Sequence, residues 1–155
     1  MIPPVPQSPS PPVPQSPSPP VPQSPSQPLP SHDDATPNLL IVEDSFLDLN
    51  TFIPLFLRRG FNVLITRSGT EALKIIENNQ PDLILLDIIL PDISGFDICR
   101  QLKAKAETNK IPIVICSIRR SAAEQFWGLR IGANAYLTKP VAQQNLVNTI
   151  DRLVA

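Results

Sequence analysis

Short runs of consecutive apolar residues alternate with longer segments of helical periodicity from residue 39 to the end of the chain. The apolar runs are not interrupted by polar positions, a pattern typical of strands buried on both faces of a parallel sheet. Because five strand–helix units follow one another with short connections, we predict a right-handed α/β fold of three layers. The predicted strands are Leu39–Glu43, Phe61–Ile65, Asp82–Leu86, Ile113–Cys116 and Asn134–Leu137.

Serine marks the start of four of the predicted helices, and an acidic residue follows each serine three positions later. This spacing resembles a capping box, in which the hydroxyl and the acid satisfy the first unpaired N–H groups of the helix. Pro54 lies inside the first predicted helix, where we expect it to remove one hydrogen bond and to kink the helix near Ile53. The four pairs are Ser45/Asp48, Ser68/Glu71, Ser94/Asp97 and Ser121/Glu124.

The fourth helix is predicted from the turn at Gly132, which ends it. Counting back from this turn places Gln125, Gly128 and Leu129 on the face that packs against the sheet. Phe126 and Trp127 fall outside that stripe, so we expect both rings to lie toward solvent or toward helix three. The alternative for a lone tryptophan is a peripheral core position.

The first 37 residues have a different composition from the rest of the chain. Three copies of PPVPQSPS span Pro3–Ser26, and 14 of the 20 prolines precede residue 31. Such a segment has no apolar face to bury and samples polyproline II without a unique fold. Residues 1–37 are therefore predicted to be a disordered, proline-rich repeat tail, and residues 38–155 the folded domain. A ligand for a proline-groove domain is the alternative for the tail.

Composition and charge exclude several classes of function. The net charge is −1 without a basic run, which argues against a nucleic-acid partner. The apolar runs are too short to cross a membrane, and the N-terminus lacks the pattern of a secretory signal. Cys99 and Cys116 lie in apolar patterns, which predicts reduced core thiols. A cytoplasmic location without membrane insertion is expected.

Polar side chains with related chemistry follow four of the predicted strands. Because ligands bind at the carboxyl ends of parallel strands, we expect these side chains to converge at one edge of the sheet. Clustered carboxylates repel one another unless a cation joins them, and hard oxygen ligands favour Mg²⁺. The residues are Glu43 and Asp44 after strand one, Asp87 after strand three, Ser117 after strand four, and Lys139 with Pro140 after strand five.

The chemistry predicted for this edge is phosphoryl transfer. A metal held by carboxylates neutralises the charge that spreads over the transferring oxygens. Asp87 then acts as the nucleophile and forms an acyl phosphate, while Lys139 and Ser117 donate to the other phosphoryl oxygens. Pro140 is expected to place Lys139 through a rigid peptide bond that can be cis.

Each of these residues has an ordinary structural interpretation when it is taken alone. Asp44 at a strand end could be a helix cap, Asp87 could be a turn residue, and Lys139 before a proline could belong to a solvated turn. Their joint occurrence at the ends of the appropriate strands favours the functional interpretation.

Four segments of the folded part form a joint pattern: LLIVEDS (Leu39–Ser45), PDLILLDIILPDISGFD (Pro81–Asp97), IPIVICS (Ile111–Ser117) and GANAYLTKP (Gly132–Pro140). Together they resemble the receiver domain of two-component response regulators. The resemblance covers residues 39–154, without an insertion or deletion between the site residues. It implies a flavodoxin-like (βα)5 sandwich with the parallel sheet order 2-1-3-4-5.

The resemblance also implies the role of each site residue. Asp87 would be the phosphoacceptor, and Asp44 and Asp87 would bind Mg²⁺ directly. Glu43 would act on the metal mostly through water, and the backbone carbonyl of Ile89 would complete the protein ligands. Two further positions, Ser117 and Tyr136, match the conformational switch pair of the family.

The partners implied are a histidine kinase or phosphotransfer protein upstream and a docking protein downstream. The downstream protein is expected on the face of helix four, strand five and helix five. Because only the tail accompanies the receiver segment, the chain is expected to be a stand-alone response regulator of a phosphorelay. The segment Phe126–Val141 is similar to receivers of type IV pilus motility or phototaxis systems, which suggests that pathway.

Three alternatives remain to be tested. A phosphatase of the haloacid dehalogenase type would carry a second Asp two residues beyond the nucleophile, and that position is Ile89 here. A flavodoxin would need phosphate-binding donors after strand one, where Glu43 and Asp44 would repel a phosphate. A receiver-fold docking module that is never phosphorylated is the third alternative.

Overall fold

The computed structural model describes residues 2–5 and 36–154 of the 155-residue chain. Five parallel strands form one sheet in the order β2-β1-β3-β4-β5, which confirms the predicted sheet order and fold class. Strands and helices alternate along the chain. The elements are β1 (Asn38–Val42), α1 (Phe46–Arg58), β2 (Asn62–Thr66), α2 (Gly69–Asn78), β3 (Leu83–Leu86), α3 (Gly95–Ala104), β4 (Ile113–Ser117), α4 (Ala122–Arg130), β5 (Ala135–Thr138) and α5 (Gln143–Val154).

Strand β1 shows why the strand runs are apolar throughout. Leu39 and Ile41 pack into a core cluster with residues of α1 and α5. Leu40 and Val42 point to the opposite face and join a second cluster with residues of α2 and α3. Successive side chains of a strand alternate between faces, so a strand covered on both sides needs apolar residues at every position.

The start of β1 was predicted one residue late because its first residue, Asn38, is polar. The start of β2 was predicted one residue early because Phe61, which precedes the strand, is apolar and packs into the core. Asn38 is buried, and its backbone N–H donates to the Asp82 carboxylate at 2.7 Å. The Asn62 side chain donates to the side-chain oxygen of Asn38 at 3.1 Å. At the amino end of the sheet, Asp82 thus satisfies the backbone N–H of Asn38, and the two asparagine side chains bond to each other.

Serine caps open four helices as predicted, but the acidic half of the capping box is wrong for two of them. The Ser45 N–H donates to Glu43 rather than to Asp48, and the Ser68 N–H donates to Thr66 rather than to Glu71. Ser45, Ser68 and Ser121 each accept a hydrogen bond from the backbone N–H three residues later. Ser94 instead accepts from the N–H of Phe96, two residues later, so its pairing with Asp97 is wrong. The serine itself is still the residue that opens the helix.

Helix α1 continues without interruption through Pro54. Pro54 is exposed, so the carbonyl that loses its helical partner lies on the solvent side of the helix. Water can satisfy that carbonyl at little cost. The kink expected near Ile53 stays a prediction.

Both cysteines, Cys99 and Cys116, are buried with free thiols, as predicted. Burial raises the pKa of Cys116 to about 12 and that of Cys99 to about 11. Across the described ranges, each helix is too short or too polar to cross a membrane. The predicted tail falls almost entirely on residues 6–35, which lie outside the described residues.

Candidate functional site

Lys139 is the centre of a charged cluster at the carboxyl edge of the sheet. Its ammonium nitrogen lies 2.7 Å from Glu43 Oε2, 2.8 Å from Asp48 Oδ2 and 2.9 Å from Asp87 Oδ2. The side chain is 7% exposed, so three carboxylates hold the ammonium group in a nearly dry position. The Lys139–Pro140 peptide bond is cis. The edge predicted from the strand ends therefore brings Glu43, Asp87 and Lys139 into direct contact.

Asp87 follows β3 and is itself buried. Its backbone N–H donates to the carbonyl of Val42, which continues the sheet pairing and fixes the start of the loop. One carboxylate oxygen contacts Lys139, and the other accepts a hydrogen bond from the N–H of Ile89 at 3.2 Å. Both oxygens are thus oriented before any ligand arrives.

Glu43 lies directly after β1 and is 2% exposed. One of its oxygens contacts Lys139, and the other accepts from the N–H of Ser45 at 3.1 Å. Burial raises the pKa of Glu43 to about 7, an increase that the charge of Asp87 reinforces and the hydrogen bond from Lys139 opposes. The carboxylate therefore binds protons more readily than an exposed glutamate does.

Asp48 is the site residue that sequence reasoning missed. It was interpreted as the acidic partner of a capping box, and its N–H does bond to the Ser45 hydroxyl at 3.3 Å. Its carboxylate, however, turns to Lys139 rather than to the start of the helix. The feature that could have revealed Asp48 is its position in the first turn of the helix after Glu43, because that turn faces the carboxyl edge of the sheet.

Asp44 does not join this cluster. Its carboxylate lies 3.1 Å from the guanidinium of Arg67, in the loop after β2. The same guanidinium donates to the backbone carbonyl of Asp44 at 2.9 Å and lies 3.7 Å from the centre of the Phe46 ring. The Asp44 side chain is 47% exposed. Asp44 is therefore at the predicted edge but is paired with a different cation.

The carboxylates at this edge of the sheet are paired with cationic side chains. Among residues 2–5 and 36–154, no three acidic, cysteine or histidine side chains are gathered closely enough to hold a metal as they stand. Lys139 bonds to both Glu43 and Asp87, and Arg67 holds Asp44. The chemistry nevertheless fits a hard cation, because three carboxylates share a single ammonium group and leave an excess of negative charge.

Ser117 and Tyr136 are linked through one loop residue. Ser117 ends β4 fully buried, and its hydroxyl oxygen accepts from the N–H of Arg119 at 3.3 Å. The Tyr136 hydroxyl donates to the carbonyl of that same residue. A second tie joins the loop to the site, because the Arg120 guanidinium donates to the carbonyl of Lys139 at 2.7 Å. A shift of the β4–α4 loop would therefore disturb the hydrogen bonds of both Ser117 and Tyr136.

Helix α4 presents apolar side chains to solvent, as the counting argument predicted for two of them. Trp127 is 45% exposed and Phe126 is 67% exposed. Gly128 is the buried residue of this helix, and a Cβ atom there would lie 2.8 Å from the Tyr136 ring. The placement of Leu129 toward the sheet was wrong, because its side chain is 49% exposed. Ile131 packs against the core instead.

Comparison with known proteins identifies relatives over the same part of the chain. The family model of the response regulator receiver domain matches residues 39–151. Protein PilH of Pseudomonas aeruginosa is 35% identical over 117 residues, which cover 76% of this chain and 97% of PilH. The polar-differentiation response regulator DivK of Brucella ovis is 34% identical over 115 residues, covering 74% of this chain and 94% of DivK.

Solved structures show the same architecture. A CheY-like response regulator receiver domain protein of Methanospirillum hungatei has a TM-score of 0.72 and 27% identity, covering 77% of this chain and 94% of its own. The receiver domain of the sensor histidine kinase PA1611 of Pseudomonas aeruginosa has a TM-score of 0.71 and 25% identity, covering 77% and 98%. That structure contains a magnesium ion coordinated in its active-site cleft.

Proposed function

Because this chain belongs to the response regulator receiver domain family, we propose that it is a stand-alone switch of a two-component phosphorelay, phosphorylated on Asp87. The observation that carries the proposal is the contact of Lys139 with a buried aspartate at the end of β3. A pathway of type IV pilus motility or phototaxis is proposed from the segment Phe126–Val141 and the likeness to PilH.

The proposed reaction begins with a phosphohistidine of a histidine kinase or phosphotransfer protein. An Asp87 oxygen attacks the phosphorus, the P–N bond breaks, and the imidazole leaves with the electron pair. Lys139 then transfers its contact from the Asp87 carboxylate to an oxygen of the phosphoryl group. Glu43 and Asp48 hold the ammonium group in place during this exchange, since both already bind it.

The residues proposed to hold Mg²⁺ are Asp44, Asp87 and the backbone carbonyl of Ile89, with Glu43 acting through water. The ion would supply neutralisation of the negative charge on the transferring phosphoryl oxygens. The N–H of Ile89 already orients the Asp87 carboxylate. This contact supports the proposal that the β3–α3 loop is arranged around the phosphoacceptor.

The signal is proposed to leave the site through Ser117 and Tyr136. A phosphoryl oxygen on Asp87 offers the O–H of Ser117 a charged acceptor, and a hydroxyl that moves toward it draws away from the Arg119 N–H that now donates to its oxygen. Since Ser117 and Tyr136 both bond to Arg119, movement of this loop removes the partner of the Tyr136 hydroxyl. The ring is then free to turn inward, which changes the surface of α4, β5 and α5.

Beryllofluoride, which mimics a phosphoryl group on an aspartate, tests this proposal by NMR of the full chain with Mg²⁺. We expect large amide shifts at Asp87, Ser117, Arg119 and Lys139, with smaller shifts along α4. The proposal is contradicted if the spectrum is unchanged, or if the shifts do not reach residues beyond β3.

Trp127→Ala is expected to weaken binding of the downstream partner at least about tenfold, which is about 1.4 kcal/mol. An exposed tryptophan next to a switching tyrosine has the properties of a binding hot spot. Phosphorylation of Asp87 should be unaffected, because Trp127 lies on α4, whereas Lys139 and the carboxylates that contact it lie on other segments. The affinity is measured by titrating the phosphorylated variant with the partner.

Leu47→Ala is the matched control for this measurement, because Leu47 is an exposed apolar residue of α1, away from α4. It should leave the downstream affinity unchanged. Equal losses for the two variants, or no loss for Trp127→Ala, would place the docking surface elsewhere.

A further inference from the structure

Arg67 makes two contacts with Asp44 and a third with Phe46. Its guanidinium donates to the Asp44 backbone carbonyl at 2.9 Å, lies 3.1 Å from the Asp44 carboxylate and stacks over the Phe46 ring at 3.7 Å. The three residues come from the loop after β2 and the segment that enters α1. An arginine held by a carboxylate, a carbonyl and an aromatic face is well defined in position, although its side chain is 45% exposed.

The fold does not require Arg67 in that position. Helix α2, which begins two residues later, is capped by Ser68 and by the Asp92 carboxylate, which accepts from the N–H groups of Gly69 and Thr70. An exposed ion pair also contributes little to the stability of a protein. The contacts of Arg67 therefore call for an explanation other than helix capping or core stability.

We propose that Arg67 is an internal counter-ion, which occupies the Asp44 carboxylate in the metal-free protein and must release it when a divalent cation binds. The inference rests on the proposed function, in which Asp44 is a direct ligand of Mg²⁺. The cation competes with Arg67 for the same carboxylate, because both are positive groups and Arg67 already contacts one of its oxygens. The Phe46 ring favours the bound position of Arg67 and so favours the metal-free arrangement.

The proposal predicts the direction in which metal affinity changes. Arg67→Ala removes the competitor and also removes a positive charge close to the ion, so both effects strengthen binding. We expect the dissociation constant of Mg²⁺ to fall by about threefold to tenfold, the range that an exposed ion pair and a cation–π contact support together. Phe46→Ala leaves the ion pair and removes only the ring, so its effect should be smaller and in the same direction.

The experiment is a titration of the full, unphosphorylated chain with Mg²⁺, followed by the amide resonances of Asp87 and Ile89. Arg100→Ala is the matched control, since Arg100 is also an exposed arginine paired with an aspartate, Asp97, but lies on α3. It changes the net charge equally and should leave the dissociation constant within about twofold of the original value.

Each outcome of the titration bears on the proposal. Tighter binding by Arg67→Ala, with Arg100→Ala unchanged, supports it. Equal or weaker binding by Arg67→Ala overturns it, because Arg67 would then be neutral or would help to orient Asp44 for the ion. Equal gains for both arginine variants also overturn it in favour of a general charge effect. If the unsubstituted chain binds no Mg²⁺, the proposed function loses its metal and this inference fails with it.

Discussion

Lys139→Met is expected to lower the free energy of unfolding by about 3–5 kcal/mol in metal-free buffer at neutral pH. The substitution keeps much of the side-chain volume but removes the only cation that contacts Glu43, Asp48 and Asp87 within the described residues. Two of these carboxylates are less than a tenth exposed and would be left close together without compensation. Chemical denaturation of the full chain measures the loss.

The loss should depend on pH in a defined direction. Burial raises the pKa of Glu43 from an ordinary 4.5 to about 7, and removing Lys139 removes an effect that lowers it. The folded variant then holds protons that the unfolded chain releases, so its stability falls as pH rises through this interval. The loss of stability in Lys139→Met should therefore be smaller at about pH 5, near the lower of the two Glu43 pKa values, than at neutral pH.

Lys74→Met is the control, because Lys74 is an exposed residue of α2 outside the site. It should change the stability by less than about 0.5 kcal/mol. Added Mg²⁺ should restore part of the stability that Lys139→Met loses. It should not stabilise a protein that has no carboxylate cluster. If Lys139→Met is as stable as the unsubstituted protein at neutral pH, Lys139 is not needed to compensate the charge of the three carboxylates.

Gly95→Ala is expected to lower the free energy of unfolding by at least about 3 kcal/mol, the upper end of the usual range for overpacking. Gly95 is the first residue of α3, and a Cβ atom there would lie 2.2 Å from the backbone oxygen of Asp87 and 2.7 Å from the Cα atom of Ile88. Backbone atoms cannot rotate away as side chains can. The helix would have to move off the loop that carries the phosphoacceptor, and the hydrogen bond from Gly95 N–H to the Ile88 carbonyl would be lost.

Gly69→Ala provides a close comparison, since Gly69 is also the first residue of a helix that a serine caps. A Cβ atom at Gly69 would approach only side-chain atoms, those of Ile93 and Ile98. These side chains can adjust, so the loss should be clearly smaller than for Gly95→Ala. Thermal unfolding of the two variants side by side makes the comparison, and equal losses would contradict the role given to the Asp87 backbone.

Much of the fold could be predicted from the sequence because the strands are buried on both faces. An uninterrupted apolar run such as Leu83–Leu86 is typical of a strand in the middle of a covered sheet. The start of β1 was displaced because Asn38 is polar, and the start of β2 because the apolar Phe61 packs into the core just before the strand begins. The serine caps located four helix starts independently of the apolar pattern.

The site was predictable as far as topology determines it. Parallel strands deliver their carboxyl ends to one edge, so the meeting of Glu43, Asp87 and Lys139 followed from the order of the elements. Side-chain direction does not follow from that order. It depends on which cation lies within reach of each carboxylate, and this pairs Asp48 with Lys139 and Asp44 with Arg67.

Helix α4 is a second case in which side-chain direction could not be predicted from the sequence of one element. Its sequence has apolar residues on several sides, so counting from Gly132 could place Gly128 and Trp127 correctly and still misplace Leu129. The close approach of α4 to the Tyr136 ring, which only Gly128 permits, selects the face that is buried. That contact depends on a residue of another element and is not a property of the helix alone.

The measurement that tests the account most directly is the intact mass of the full chain after incubation with a small phosphodonor. We expect one phosphoryl group on the unsubstituted protein, formed only with Mg²⁺ present and absent after chelation. Asp87→Asn should acquire none under the same conditions, while Asp48→Asn, a change to a neighbouring carboxylate, should still be modified. Phosphorylation that persists in Asp87→Asn, or that is undiminished by chelation, would contradict the assignment of Asp87 as the metal-dependent phosphoacceptor.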